Sequence, residues 1–324
     1  MTALLSTFKA RSYAGEVDLP AIAELINFCK TADNQDGLVT VDELRDDYAD
    51  PDFDVDRDLR LWTNATGALC AVASCWFPEP AEVKNGYFGF SIHPSAREQG
   101  IEEDIFSWAE ALVKDLAQAH QRPARLRTGA RDDYAFRLNW LTRKGFTSDR
   151  TFYQMMRSLS EPIPQPQLPD GFTIRPLQGE AEVAAWVEMF NQSFIDHWNF
   201  TPLTVESRAH WLTETSYQPE LDLVAVAPDG TLAAFCYAII HAEENTLTGQ
   251  LEGWIADLGT RRGFRRMGLG RAMLLTGLHT LQAHGMNTAL LGVDSENPSG
   301  ALALYQSVGF QKRHTSFAFV KDLD

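Results

Sequence analysis

Apolar residues recur along this chain with two periods, and the two alternate. Leu274, Leu275, Leu278 and Leu281 fall on one helical face, and Gly285 then ends that helix. Ala301, Leu304, Tyr305 and Val308 mark a second face closed by Gly309, with Asn297 before Pro298 as the expected N-cap. Residues 20–28, 41–48, 179–194 and 204–213, and a stretch running through Leu116, read as further helices. Strands are expected at 59–63 and 68–77 around a turn, at 87–92, at 172–176, and at 221–227 and 232–240 around Pro228 to Thr231. A turn at 243–246 leads to a strand over 254–258, and another strand covers 288–294.

Between the two halves, residues 160–171 hold four prolines, which predicts a stiff, extended linker. With 324 residues, two domains are expected: 1–158, a linker at 159–170, and 171–324. No apolar run is long enough for a membrane span, and no signal-peptide pattern opens the chain, so a cytoplasmic location is expected. The formal net charge of -16 argues against nucleic acid as a partner. Cys29, Cys70, Cys75 and Cys236 form no C-x-x-C pair and read as reduced, buried thiols, with Cys70 and Cys75 on opposite sides of one strand. Asn34, Asp36, Gly37 and Glu43 fit part of a calcium loop, but Ala32 at its first position supplies no side-chain oxygen. A solvated loop is the better reading, and no metal is expected.

Against that acidic background, five arginines crowd the segment from Arg261 to Arg271. A multiply charged anion is the simplest cause. The segment joins a strand to a helix N-terminus, where unpaired N–H groups and the helix dipole favour negative charge. Gly268 and Gly270 let phosphate oxygens approach the backbone, and arginines add paired donors. A P-loop is excluded because Gly-Lys-Ser/Thr is missing. A dinucleotide fingerprint is excluded because Met273 stands in place of its third glycine. The alternative is a basic surface loop before an ordinary helix.

Arg265-x-x-Gly268-x-Gly270 resembles the Q/R-x-x-G-x-G/A pyrophosphate motif of GCN5-related N-acetyltransferases, the GNAT superfamily. Asn297 to Phe310 is similar to that family's N-x-x-A-x-x-x-Y-x-x-x-G-F block, with one residue more before Ala301. A worn copy lies upstream. Arg97 and Gly100 remain, Glu102 replaces the second glycine, and Leu141 stands four residues before Gly145-Phe146, where the tyrosine belongs. Gly268 follows Gly100 by 168 residues, and Gly309 follows Gly145 by 164, which marks an internal repeat. The resemblance implies an α/β fold of mixed α+β sheet: two tandem GNAT domains, each a mostly antiparallel sheet flanked by helices. Within the family, the two-unit layout is similar to mycothiol synthases. The first unit is expected to be degenerate and to hold no cofactor, because Glu98, Glu102, Glu103 and Asp104 would repel a pyrophosphate.

The resemblance further implies acetyl-CoA as cofactor, held by Leu258, Gly259 and Thr260 on the strand and by Arg265, Arg266, Met267, Gly268, Leu269, Gly270 and Arg271 in the loop. Asn297 would touch the cofactor, and Tyr305 would protonate the departing thiolate. Asp196, His197 and Trp198 would line the pocket for a small-molecule amine, or else only tie two helices together. Glu252 and Asp257 are the candidate proton acceptors. Their parity differs, so a regular strand turns at most one toward the cleft, unless a bulge intervenes. The implied activity is direct acetyl transfer to an amine. Mycothiol-type acetylation of a cysteinyl amine, a non-catalytic acetyl-CoA sensor and a ligand-free scaffold are the alternatives, and either a monomer or a homodimer is open.

Overall fold

A computed structural model describes residues 8–78 and 83–323. Two compact units emerge: residues 1–149 with 317–324, and residues 150–316. This division departs from chain order, because the first unit takes residues 317–324 from beyond the second, and the second begins at Arg150, before the expected boundary.

The first unit contains β1 (Lys9–Arg11), α1 (Leu19–Ala32), α2 (Val41–Tyr48), α3 (Val55–Asp58), β2 (Leu59–Thr63), β3 (Leu69–Trp76), β4 (Lys84–Ile92), α4 (Ile101–Ala119), β5 (Ala124–Arg131) and α5 (Ala135–Arg143). The segment Thr147–Ser158 forms β6, whose residues from Arg150 onward belong to the second unit. There follow β7 (Thr173–Pro176), α6 (Val183–Phe194), α7 (Val205–Trp211), β8 (Asp222–Val226), β9 (Leu232–Ile239), α8 (Ala242–Thr248), β10 (Glu252–Thr260), α9 (Leu269–Ala283), β11 (Thr288–Asp294) and α10 (Ala301–Ser307). The last strand, β12 (Gln311–Leu323), contributes its residues from Phe317 to the first unit.

Within the first unit the sheet order is β1-β2-β3-β4-β5-β12, and within the second it is β6-β11-β10-β9-β8-β7. The pairs β1–β2, β2–β3, β3–β4, β6–β11, β9–β10, β8–β9 and β7–β8 are antiparallel, while β4–β5 and β10–β11 are parallel. Helices cover both faces of the second sheet. Leu274, Leu275, Leu278 and Leu281 of α9 pack with Ala234, Cys236 and Ala238 on one face. Trp186 of α6 packs with Phe235 on the other. No helix among the described residues is long and apolar enough to cross a membrane.

Several local expectations change. The expected turn at 243–246 is the short helix α8. All four cysteines are buried and free, but Cys70 and Cys75 join one core cluster. A register shift of β3 at Cys70 resets side-chain parity. In the calcium-like loop, Asp36 pairs with Arg131, and Glu43 closes a capping box with Thr40. The proline segment lies bound along the second unit. Arg157 donates to the Pro162 carbonyl at 2.9 Å, and Ile163 and Leu168 pack on the core.

Candidate active site

The site forms where β10 leaves β11. The two strands pair only from Glu252 opposite Thr288 to Ile255 opposite Leu291. At that point the register of β10 against β9 shifts between Ile255 and Asp257, so Ala256 is bulged. The bulge turns the rest of β10 out of its parallel pairing and leaves backbone groups on that edge open. It also resets parity. Trp254 opposes Ile239 and Asp257 opposes Tyr237, so Glu252, Trp254 and Asp257 share the face covered by α6. The bulge is the exception to the regular-strand rule, so Glu252 and Asp257 share one face. Gly259 is required here, because a Cβ would meet the Phe235 ring at 2.3 Å.

The two carboxylates differ in setting. Glu252, at the far end of the strand, is ion-paired to Arg313 at 2.9 Å. Asp257 stands at the parting and has no ion pair or hydrogen bond among the described residues. Burial pushes its pKa up to about 6, with Arg208 pulling it down and Asp222 adding to the rise. Tyr305 is buried against the α9 face. Its hydroxyl has no partner among the described residues and keeps some exposure to solvent. Burial, with Cys236 and Asp257 nearby, raises its proton affinity above the ordinary value, so it stays a donor.

The arginine loop turns through Arg266 at φ 63° and Gly268 at φ 88° into α9. The first N–H of this stretch to find a chain acceptor is that of Ala272, on the Gly268 carbonyl at 3.1 Å. Those of residues 266–271 have none among the described residues, which makes a concave row of donors at the positive end of a helix. The arginines divide their duties. Arg261 holds Gln192 at 2.9 Å and Glu188 at 2.5 Å. Arg262 pairs with Asp196. Arg265 binds Asp196 at 2.9 Å, the Ser193 carbonyl at 2.9 Å and the Thr260 carbonyl. These three lock the loop to α6, and the Arg265 guanidinium holds the Asp196 carboxyl below its usual range. Arg266 and Arg271 are left exposed beside the donors, with Arg271 touching Ser307. Part of the charge reversal is therefore internal bracing, and Asp196 is a latch for the loop. Leu269 is buried, so only its backbone faces the cradle, while Met267 is exposed. Leu258 packs on the α9 core, and Thr260 approaches Gly270.

His197 and Trp198 follow α6 at the carboxyl end of the parallel strands. Asn297 meets His197 Nε2 at 3.0 Å, and its Oδ1 accepts from the Ser299 N–H at 2.8 Å. Its side chain is thus already engaged. Asn297 does not cap α10: Gly300, at φ 79°, precedes that helix, which begins at Ala301. Trp198 lies against Phe152 and under Arg150, whose guanidinium is shared between Asp294 and Glu296. Burial lowers the His197 pKa, so the ring is neutral at neutral pH.

The first unit repeats this plan with its openings filled. Glu98 at φ 60° and Gly100 at φ 91° reproduce the loop, and Arg97 pairs with Asp33 at 2.6 Å as Arg265 does with Asp196. The buried Glu102, at the position of Gly270, accepts from the Glu98 N–H at 2.6 Å. Strands β4 and β5 also part, after Tyr87 opposite Arg127. There Thr128 donates to the Phe88 carbonyl at 2.7 Å, and Arg137 donates to the Phe90 carbonyl at 3.1 Å and to Thr128 at 2.7 Å. Leu141, in the place of Tyr305, is fully buried.

Sequence reading missed one group. Arg208 is completely buried with Asp222, its guanidinium carbon 4.0 Å from the Trp186 ring, while Tyr217 donates to Asp222 at 3.0 Å. Breaking such a pair costs about 3–5 kcal/mol. Arg208 lay on an ordinary polar helix position, and nothing local marked it.

Comparison with known proteins agrees with this geometry. The sequence profile of the Acetyltransferase (GNAT) family matches residues 183–310. A mycothiol acetyltransferase of Salinispora arenicola is 28% identical over 307 residues, 91% of this chain and 92% of that protein. One of Streptomyces avermitilis is 31% identical over 229 residues, 70% and 69% of the two chains. The structure of a GCN5-related N-acetyltransferase from Sphaerobacter thermophilus superposes with a TM-score of 0.72 at 26% identity, covering 98% of this chain and 96% of the other. A tandem GNAT protein from the clavulanic acid biosynthesis pathway shares the fold, with a TM-score of 0.73 at 14% identity and 98% coverage of both. A parted parallel pair, a row of vacant helix N–H groups behind it and these relatives lead to one assignment: the chain is a two-unit member of the GNAT acetyltransferase family, which uses acetyl-CoA.

Proposed function

We propose that the second unit carries the acetyl transfer to a small-molecule amine, and that the first unit is a structural partner without cofactor. The observation that carries this reading is the row of unpartnered N–H groups over residues 266–271, together with the parting of β10 from β11 at the bulge beside Asp257. Those N–H groups, with Arg266 and Arg271, would hold the pyrophosphate of acetyl-CoA. The open edge of β10 at Leu258 and Thr260 would pair with the pantetheine amides. Asp257 takes the proton of the attacking amine, directly or through water, because a carboxylate near 6 is ionised at neutral pH and is a stronger base than an ordinary one. Glu252 is held by Arg313 and is the weaker candidate. Tyr305 returns a proton to the thiolate.

The mycothiol acetyltransferase relatives favour a cysteinyl amine as the acceptor. Buried free thiols fit work in the cytoplasm. The test is release of free CoA over a panel of amines, alongside thermal unfolding with acetyl-CoA. At ~100 times its Kd the cofactor adds roughly 2.7 kcal/mol. Stabilisation without turnover on any amine would reassign the chain as an acetyl-CoA sensor, and no stabilisation would leave a scaffold.

A further inference from the structure

Asn297 dictates which nitrogen of His197 carries the proton. The Ser299 N–H fixes Asn297 Oδ1 as an acceptor, so its Nδ2 is the atom facing His197 Nε2 at 3.0 Å. An amide nitrogen only donates. Nε2 must therefore offer its lone pair, and the proton sits on Nδ1. The ring is held edge-on to Phe194, with centroids 4.8 Å apart. Nδ1 has no acceptor among the described residues and keeps some exposure to solvent. A half-buried donor of fixed direction is thus left open on the loop over the carboxyl ends of β10 and β11.

We infer that His197 is a specificity-determining residue whose Nδ1–H donates to an oxygen of the acceptor. The attacking amine cannot be its partner, because that nitrogen must keep its lone pair for the thioester carbon. The oxygen lies elsewhere on the acceptor, which selects amines carrying a neighbouring carbonyl or hydroxyl over bare alkylamines. Asn297 acts through His197 as a positioning residue. Burial and the nearby Arg150 and Arg265 disfavour the imidazolium, which keeps this single-donor form in place against the opposing pull of Asp294. A site built around such a donor penalises an analogue lacking the oxygen.

This rests on the cysteinyl-amine reading above, and the test separates the two. The full chain, saturated with acetyl-CoA, is given S-methyl-L-cysteinamide and S-methylcysteamine, which differ only by the carboxamide. The readout is the ratio of their kcat/KM values. Wild type should favour the amide by about tenfold or more. His197→Phe should lower that ratio about tenfold, and Asn297→Leu should lower it in the same direction although the imidazole remains. His197→Asn, whose amide nitrogen stands near the place of Nδ1, should hold the ratio within about threefold of wild type. A purely structural role would weaken both reactions equally and leave the ratio fixed, which overturns the inference. Wild-type turnover without preference overturns it too, with the cysteinyl reading intact. No turnover of either compound, with acetyl-CoA bound, refutes both.

Discussion

Replacing Asp257 with asparagine should stabilise the protein while removing most of its activity. Burial holds the Asp257 carboxyl at about 6, against an ordinary value near 3.9. At about 1.4 kcal/mol for each pH unit of displacement, the ionised group costs the folded state roughly 3 kcal/mol in neutral solution. The sign follows from proton uptake. Between about pH 4 and 6 the folded chain holds a proton that the unfolded chain has released, so wild-type stability falls as pH rises through that window and is level above it. Asparagine resembles the protonated carboxyl and has no such cost. The stability difference, Asp257→Asn minus wild type, should be near zero at pH 4 and reach at most ~3 kcal/mol by pH 8. Other titrating groups are common to both proteins and cancel. Denaturant unfolding at several pH values measures this difference, and CoA release at saturating acetyl-CoA should drop about a hundredfold or more. A difference independent of pH, or a variant retaining over about a tenth of the activity, would refute the assignment of the proton acceptor.

Two further substitutions probe the rest of the site. Tyr305→Phe should lower kcat about a hundredfold with little effect on acetyl-CoA affinity measured by calorimetry, and a loss of only a few-fold would remove its role as proton donor. Gly270→Glu places in the second unit the residue that fills the first. It should abolish calorimetric acetyl-CoA binding in a folded protein, and binding within about threefold of wild type would overturn the account of the cradle.

The sequence revealed the loop more readily than what surrounds it. Arg265, Gly268 and Gly270 stood out because their spacing is a local property, and the repeat placed the first-unit loop in the same backbone conformation. Strand β5 was not foreseen, since its Arg-Leu-Arg-Thr-Gly-Ala-Arg run alternates polar and apolar residues only in part, and its arginines find partners far away in sequence. Strand β12 reads as polar for a similar reason. The Ala256 bulge depends on how β10 meets β9, so parity counted along one strand could not place Glu252 and Asp257. The duty of three arginines as braces needed the position of α6, and the cage around Arg208 needed four separate elements.

Because residues from Phe317 onward lie in the first unit and strand β12 lies beside β5, the sheet of β1 to β5 is completed only by β12, about 180 residues after β5. A ribosome releasing this protein would expose an unfinished N-terminal sheet, with β5 still an open edge, until the last strand emerges. The amino-terminal half is therefore the later of the two to mature, and cutting the gene at its middle would yield fragments that each lack a strand.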